Sequence, residues 1–261
     1  MIGAIAGDII GSVYEPAPIK STEFPLFQPR SRFTDDSVLT VAIADAILTG
    51  RPYQDAVRDW GRRYPHAGYG GAFFEWLCAA DPQPYHSWGN GSAMRVSPVG
   101  WAFDSEDEVL RQARLSAAIT HDHPEGIKGA QATALAVYLA RTGAEKATIR
   151  ARIQTPFGYD LAGTVDALRP GYTFDVSCQG SVPAALIAFL DAESYEDTVR
   201  NAVSLGGDSD TLACIAGGIA EAFYGGVPDS IRAEVEARLT PDLWRVVEKF
   251  ERRYGSSQEK P

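Results

Sequence analysis

The sequence predicts an all-α protein with about ten or more helices. Apolar runs recur along the whole chain, opened by Ser, Thr, Asp or Pro and often closed by Gly, which are helix start and stop signals. No segment alternates apolar and polar residues between hairpin turns, so no strand pattern competes. With no internal repeat and no linker, residues 1–254 read as one compact domain, followed by a polar, frayed tail at 255–261.

Residues 2–14 carry Gly3, Gly7 and Gly11 at every fourth position. Glycine disfavours helices, so three on one face suggest a buried helix that another backbone approaches closely. Asp8 interrupts this apolar segment, and Glu15 precedes Pro16, which should end the helix. Each acid reads either as a surface residue or as a carboxylate entering a pocket, Glu15 more readily than Asp8. Pro16, Pro18, Pro25 and Pro29 make 16–33 a long loop, and its 20–27 portion could cover a site.

Helices are expected at 36–48, stopped by Gly50, and at 52–64, with Pro52 at its start. Another, at 72–80, follows Gly68-Tyr69-Gly70-Gly71. Ser105 to Glu108 is a capping box before 109–119. Further helices are expected at 129–141, near 145–153 and 161–168, and at 182–190. A second capping box at Ser194 starts one that runs to about residue 204. The last three are 212–224, 228–238 and 241–254.

The chain has 261 residues, with 34 acidic against 24 basic side chains and a net charge of −10. Nucleic acid and anionic membrane surfaces are poor partners for such a chain; a phosphorylated small molecule can still bind through metals and backbone N–H groups. Cys78, Cys178 and Cys214 form no CxxC and are odd in number, which argues against a disulfide framework or a zinc ribbon. No basic leader and no membrane-length apolar stretch is present, so a monomer in a reducing cytoplasm is the expectation.

Two clusters stand out. Gly206-Gly207-Asp208-Ser209-Asp210-Thr211 and Thr34-Asp35-Asp36-Ser37 each precede a long apolar run. One acid at each would serve as a helix cap; the doubled acids and Thr hydroxyls exceed that need. If the clusters face each other, at least four carboxylates share a pocket. Two like charges about 4 Å apart cost roughly 4 kcal/mol at an effective dielectric of ~20, so such a pocket needs cations or protons. All-oxygen donors suit Mg²⁺, Mn²⁺ or Ca²⁺ rather than zinc. The only histidines are His66, His86, His121 and His123, and none falls in a metal-binding spacing. His121 is instead expected to line a ligand pocket. Gly68 to Gly71 reads as a turn or as a phosphate cradle, and Ser87-Trp88-Gly89-Asn90-Gly91 as a tight turn from which Trp88 could stack on a ribose or base.

Together these pieces resemble the ADP-ribosylglycohydrolases, the ADP-ribosyl-acceptor hydrolases that include the dinitrogenase reductase-activating glycohydrolases. The resemblance spans nearly the whole chain. It rests on Gly7-Asp8, Gly11 to Glu15, Thr34-Asp35-Asp36, Gly68 to Gly71, Gly89-Asn90-Gly91-Ser92-Ala93-Met94-Arg95, Thr120-His121 and Gly207 to Thr211. It implies an orthogonal all-α bundle with a binuclear Mg²⁺ or Mn²⁺ cleft. Thr34, Asp35, Asp36, Asp208, Asp210 and Thr211 would hold the metals, and Glu15, Asp36 and Asp35 would be the catalytic acids. Gly68, Tyr69, Gly70, Gly71, Ser87, Trp88, Gly89, Asn90, Gly91, Met94 and His121 would bind substrate. Trp88 stands where some members have Tyr, and the chain is short for the family. The implied reaction cleaves the bond between ADP-ribose C1″ and an acceptor, on a protein or a small molecule; nucleic acid enters only as an ADP-ribosylated substrate. A metal-dependent phosphohydrolase and a non-catalytic ADP-ribose-binding protein are the competing readings.

Overall fold

In the computed structural model, which describes residues 1–255, the chain forms fifteen α-helices. Only an isolated antiparallel bridge, Gly89 to Ser177, occurs outside them among the described residues. The polar tail expected at 255–261 falls, beyond Gly255, outside the described residues. No described helix is long and apolar enough to cross a membrane.

Two helices form the heart of the bundle. Every residue of α1 (Ile2–Gly11) is buried, as is α13 (Ser209–Tyr224) from Ser209 to Ala222. A helix that is apolar all round belongs inside a core. The glycine ridge lets the two backbones touch. A Cβ on Gly7 would sit 2.0 Å from the Ala213 carbonyl oxygen, and one on Gly11 2.5 Å from the Asp210 Cα. Any side chain at either position would push Asp210 away from α1. Helices α8 (Pro124–Arg141), α11 (Cys178–Leu190) and α12 (Tyr195–Ser204) pack around α13. On the other side, α2 (Asp35–Thr49) packs on α1, α3 (Tyr53–Arg63), α6 (Ser97–Ala102) and α15 (Pro241–Tyr254). Completing the set are α4 (Gly71–Cys78), α5 (Gly91–Met94), α7 (Glu106–Ala118), α9 (Lys146–Phe157), α10 (Val165–Leu168) and α14 (Asp229–Arg238).

Several boundaries differ from the sequence expectation. Helix α1 ends at Gly11, not against Pro16, and a turn over Ser12 to Tyr14 leads to the exposed Glu15. Helix α8 starts at Pro124, where the His123 ring accepts from the Glu125 N–H, so the helix expected from 129 gains more than a turn. Residues 161–164 are not helical, because Thr164 caps α10 through the Ala167 N–H. The short helices α5 and α6 carry no amphipathic period long enough to read. Segment 20–27 does not line the cleft described below. Lys20 instead donates to the carbonyls of Arg169 and Tyr172, and Arg200 donates to those of Thr22 and Phe24, which ties this loop to the bundle.

Substitution of Gly7 by Val tests the helix contact. The added atoms overlap backbone that cannot move independently, and overpacking of this kind costs about 1–3 kcal/mol or more. Thermal melts should show a clear loss for Gly7→Val and almost none for Gly171→Ala, where an added Cβ meets nothing within 4 Å.

Candidate metal centre and cleft

The two Asp/Thr clusters come together because α2 and α13 point their N-termini into one space. Thr34 is the N-cap of α2, its hydroxyl accepting from the Asp36 N–H, and Asp35 and Asp36 form the first turn. Asp208 is the N-cap of α13, yet its side chain caps nothing. It accepts instead from Asn90 Nδ2 at 2.7 Å. Capping alone therefore does not account for Asp208.

Asp8, fully buried on α1, fastens that helix to the start of α2. Its Oδ1 accepts from the Thr34 hydroxyl at 2.6 Å. Its Oδ2 accepts from the Thr34 N–H at 2.9 Å, the Ser37 N–H at 3.0 Å and the Ser37 hydroxyl. Across the space, the Thr211 hydroxyl donates to Asp36 Oδ2 at 3.4 Å; within α13, the Thr211 N–H donates to Asp210 Oδ1 at 3.0 Å.

Carboxylate oxygens of Asp8, Asp36 and Asp210 all lie within 4.8 Å of one another, as do those of Glu15, Asp208 and Asp210. Burial, then neighbouring carboxylates, raises Asp36 and Asp210 well above the usual carboxylate range. Burial also raises Asp8 and Asp208 against the pull of their hydrogen bonds. Asp35 keeps partial solvent exposure but is pushed up to about 7, by burial first and then by Asp8. Glu15, exposed at the rim, is raised by burial and by Asp208. Asp36 Oδ1 is buried with no donor. An orphaned carboxylate oxygen among like charges fits a divalent cation: the donors are all oxygen, and a cation supplies the missing partner.

The acids form part of the wall of a cleft of about 450 Å³. Glu15, Thr34, Asp35, Asp36, Asp208, Asp210 and Thr211 all line it. So do Gly68, Gly70, Gly71, Ser87, Gly89, Asn90, Gly91, Met94 and His121. Helix α4 begins at Gly71, so its first-turn N–H groups lack helical partners on the cleft side. Loop 87–91 is pinned by the Asn90 N–H to the Val176 carbonyl (2.7 Å) and the Cys178 N–H to the Trp88 carbonyl (2.9 Å).

Two expected residues sit apart from the lining. Tyr69 packs its ring on Phe73 at 5.1 Å. Trp88 is 54% exposed and meets His123 edge-on at 5.7 Å. Conversely, Arg32, Tyr85, Arg95, Phe174 and Val176 line the cleft without having been read from the sequence as site residues. Arg95 was within reach of sequence reasoning, as the end of the Gly89 to Arg95 motif. Phe174 and Val176, both more than half exposed, lie in a stretch with no motif and reach the cleft through the Gly89–Ser177 bridge. His86 and His123 pack edge-on at 4.7 Å, with the His123 ring capping α8, while His121 bonds Thr120 and is the one histidine of the four that lines the cleft.

Comparison with known proteins agrees with this architecture. The profile of the ADP-ribosylglycohydrolase family matches residues 1–260. The chain is 29% identical to the human (Homo sapiens) ADP-ribosylhydrolase ARH3, over 93% of this chain and 90% of that one. It is 24% identical to the ADP-ribosylarginine hydrolase Tri1 of Pseudomonas putida (strain GB-1), over 86% of this chain and 69% of that one. A solved structure titled ADP-ribosylglycohydrolase-related protein complex shares the fold, with a TM-score of 0.72 and 24% identity across 97% of this chain and 95% of that one. The chain thus belongs to the ADP-ribosylglycohydrolase family and is a glycohydrolase.

Proposed function

We propose that this protein hydrolyses the bond between C1″ of ADP-ribose and an acceptor, releasing ADP-ribose, with two divalent cations, Mg²⁺ or Mn²⁺, in the acidic cleft. The observation that carries this reading is the gathering of four aspartates and two threonines, from α2 and α13, beside unpartnered backbone N–H groups in one cleft. The names of the relatives, ADP-ribosylhydrolase and ADP-ribosylarginine hydrolase, support the substrate class.

Thr34, Asp35, Asp36, Asp208, Asp210 and Thr211 would hold the cations. The Thr34 hydroxyl donates its hydrogen to Asp8, which leaves a lone pair free to ligate. Asp8 already accepts four hydrogen bonds and serves to orient Thr34 and the start of α2. Cations held by these residues would supply Lewis-acid chemistry, fixing ribose hydroxyls and lowering the pKa of a water or polarising the scissile linkage. The surrounding carboxylates stabilise the positive, oxocarbenium-like charge that develops on the sugar. Glu15 moves the proton, because it is the acid at the exposed rim, where an acceptor has to enter. Asp36 is only 2% exposed and is enclosed by the other acids. The N–H groups that open α4 suit a diphosphate without Lys or Arg. The acceptor is a protein side chain or a small group.

The test is release of free ADP-ribose, read by chromatography with mass detection. Substrates are ADP-ribosyl-arginine, ADP-ribosyl-serine and O-acetyl-ADP-ribose, each with Mg²⁺, with Mn²⁺ and with chelator. Chelator-sensitive release from at least one is expected. Release of inorganic phosphate or nucleotide instead would support a phosphohydrolase, and binding without turnover a reader. Asp210→Ala should lose about 100-fold or more in turnover with an unchanged helical circular dichroism spectrum; wild-type turnover would remove Asp210 from the centre.

The acids also set a pH dependence. A carboxylate whose pKa is raised on folding binds its proton more tightly in the folded state. Its contribution is present at low pH and is lost as pH rises through the folded value. For Asp35 that window runs from 3.8 to about 7. Cation-free protein should therefore lose stability across it, and cations should restore that stability. Thermal melts with Mg²⁺ and with chelator should differ little near pH 4.5 and increasingly up to pH 8. A pH-independent difference would contradict the acid centre.

A further inference from the structure

His121 presents its two ring nitrogens to different surroundings. Nδ1 lies 2.7 Å from the Thr120 hydroxyl. Nε2 has no protein hydrogen-bond partner among the described residues and faces the glycines of loop 87–91. A Cβ on Gly91 would sit 3.1 Å from this nitrogen and one on Gly89 3.4 Å, so bare glycine backbone leaves it uncovered in the cleft.

Which nitrogen carries the hydrogen follows from Thr120. Its Oγ1 accepts from Arg95 Nη2 at 2.9 Å. A guanidinium only donates, so one hydroxyl lone pair is committed. The second lone pair could accept from an Nδ1–H, but the buried hydroxyl hydrogen would then have no acceptor among the described residues; donation to His121 Nδ1 leaves no such gap. Arg95 cannot turn away from this arrangement. It is completely buried, and the same Nη2 also donates to the Ser116 carbonyl at 2.9 Å. Donation thus runs in one direction, from Arg95 to Thr120 to Nδ1. Nδ1 keeps its lone pair, and the ring hydrogen resides on Nε2. Burial and then the Arg95 charge hold His121 well below the ordinary histidine range, so the ring is neutral.

We infer that Arg95 and Thr120 are positioning residues that fix His121 in its Nε2–H form, and that this N–H donates to an oxygen, hydroxyl or phosphate, of the ligand in the cleft. The selection is by sign. An acceptor atom at this point of the ligand is favoured, and a group that only donates is turned away. The inference rests on the proposed function for the ligand's identity, ADP-ribose, while the tautomer stands on the protein alone.

Two readouts keep these parts separate. The first is the imidazole nitrogen spectrum of the ¹⁵N-labelled full chain without ligand, in which His121 is one of four histidines and is assigned with His121→Gln. The wild type should show Nε2–H. Thr120→Val, nearly the same shape without the hydroxyl, should show a mixture of tautomers, and Thr120→Ser should restore Nε2–H. The second readout is ADP-ribose binding by calorimetry. Loss of one fixed donor should weaken it about tenfold in Thr120→Val, with recovery in Thr120→Ser. A wild-type ring protonated on Nδ1, or a Thr120→Val variant that keeps both tautomer and affinity, would overturn the inference. A wild type that shows Nε2–H but binds no ADP-ribose would overturn the proposed function, and the ligand half of this inference with it, leaving the relay in place.

Discussion

Like charges brought together out of water are the constraint around which this molecule is built. Asp36, Asp208 and Asp210 are at most 6% exposed and Asp8 is fully buried. Left alone, such groups would separate or take up protons. Three features hold them. The N-termini of α2 and α13 bring the positive ends of two helix dipoles to the acids. Asp8 takes up four donors and fastens α1 to the start of α2. The glycine face of α1 lets α13 approach until backbone meets backbone, which sets Asp210 at its distance from Asp36. What remains is an orphaned oxygen on Asp36 and a cluster of raised pKa values. The fold therefore maintains an electrostatic strain that a cation would relieve.

The cleft carries a second polarity. Arg95 is buried at its wall, with Nε and Nη1 lacking partners. Burial lowers it to about 10, so it remains a cation at neutral pH. Asn90 links the two regions, since its side chain donates to Asp208 and its neighbours Gly89 and Gly91 face His121. One short loop thus spans from the acids to a neutral histidine backed by a buried guanidinium. Acidic and cationic surroundings therefore lie along a single wall of the cleft.

Much of this was legible in the sequence where the signal is local. The Asp/Thr clusters could be read because each sits in four consecutive residues ahead of an apolar run; charge said what such clusters would need if they met, and the family resemblance supplied their meeting. The glycine spacing of α1 foretold a close helix contact. Asp8 was harder: a single acid in an apolar helix has no local partner to reveal it, and its donors, Thr34 and Ser37, lie more than twenty residues away. Phe174, Val176 and Tyr85 reach the cleft only through the crossing of two loops, which leaves no trace in either segment alone. Trp88 and Tyr69 show the opposite case. Their place next to glycine-rich turns suggested ligand contact; Tyr69 packs on Phe73, which itself lines the cleft, and Trp88 stands exposed beside His123. A turn fixes the backbone without fixing where its aromatic points.

The most direct test of the account is a crystal structure grown with Mn²⁺, with anomalous diffraction used to locate the metal. Two peaks are expected between the N-termini of α2 and α13, each with carboxylate oxygens of Asp36, Asp208 or Asp210 in its coordination shell. Peaks elsewhere, or a cluster that binds no Mn²⁺ at neutral pH and stays protonated, would contradict it.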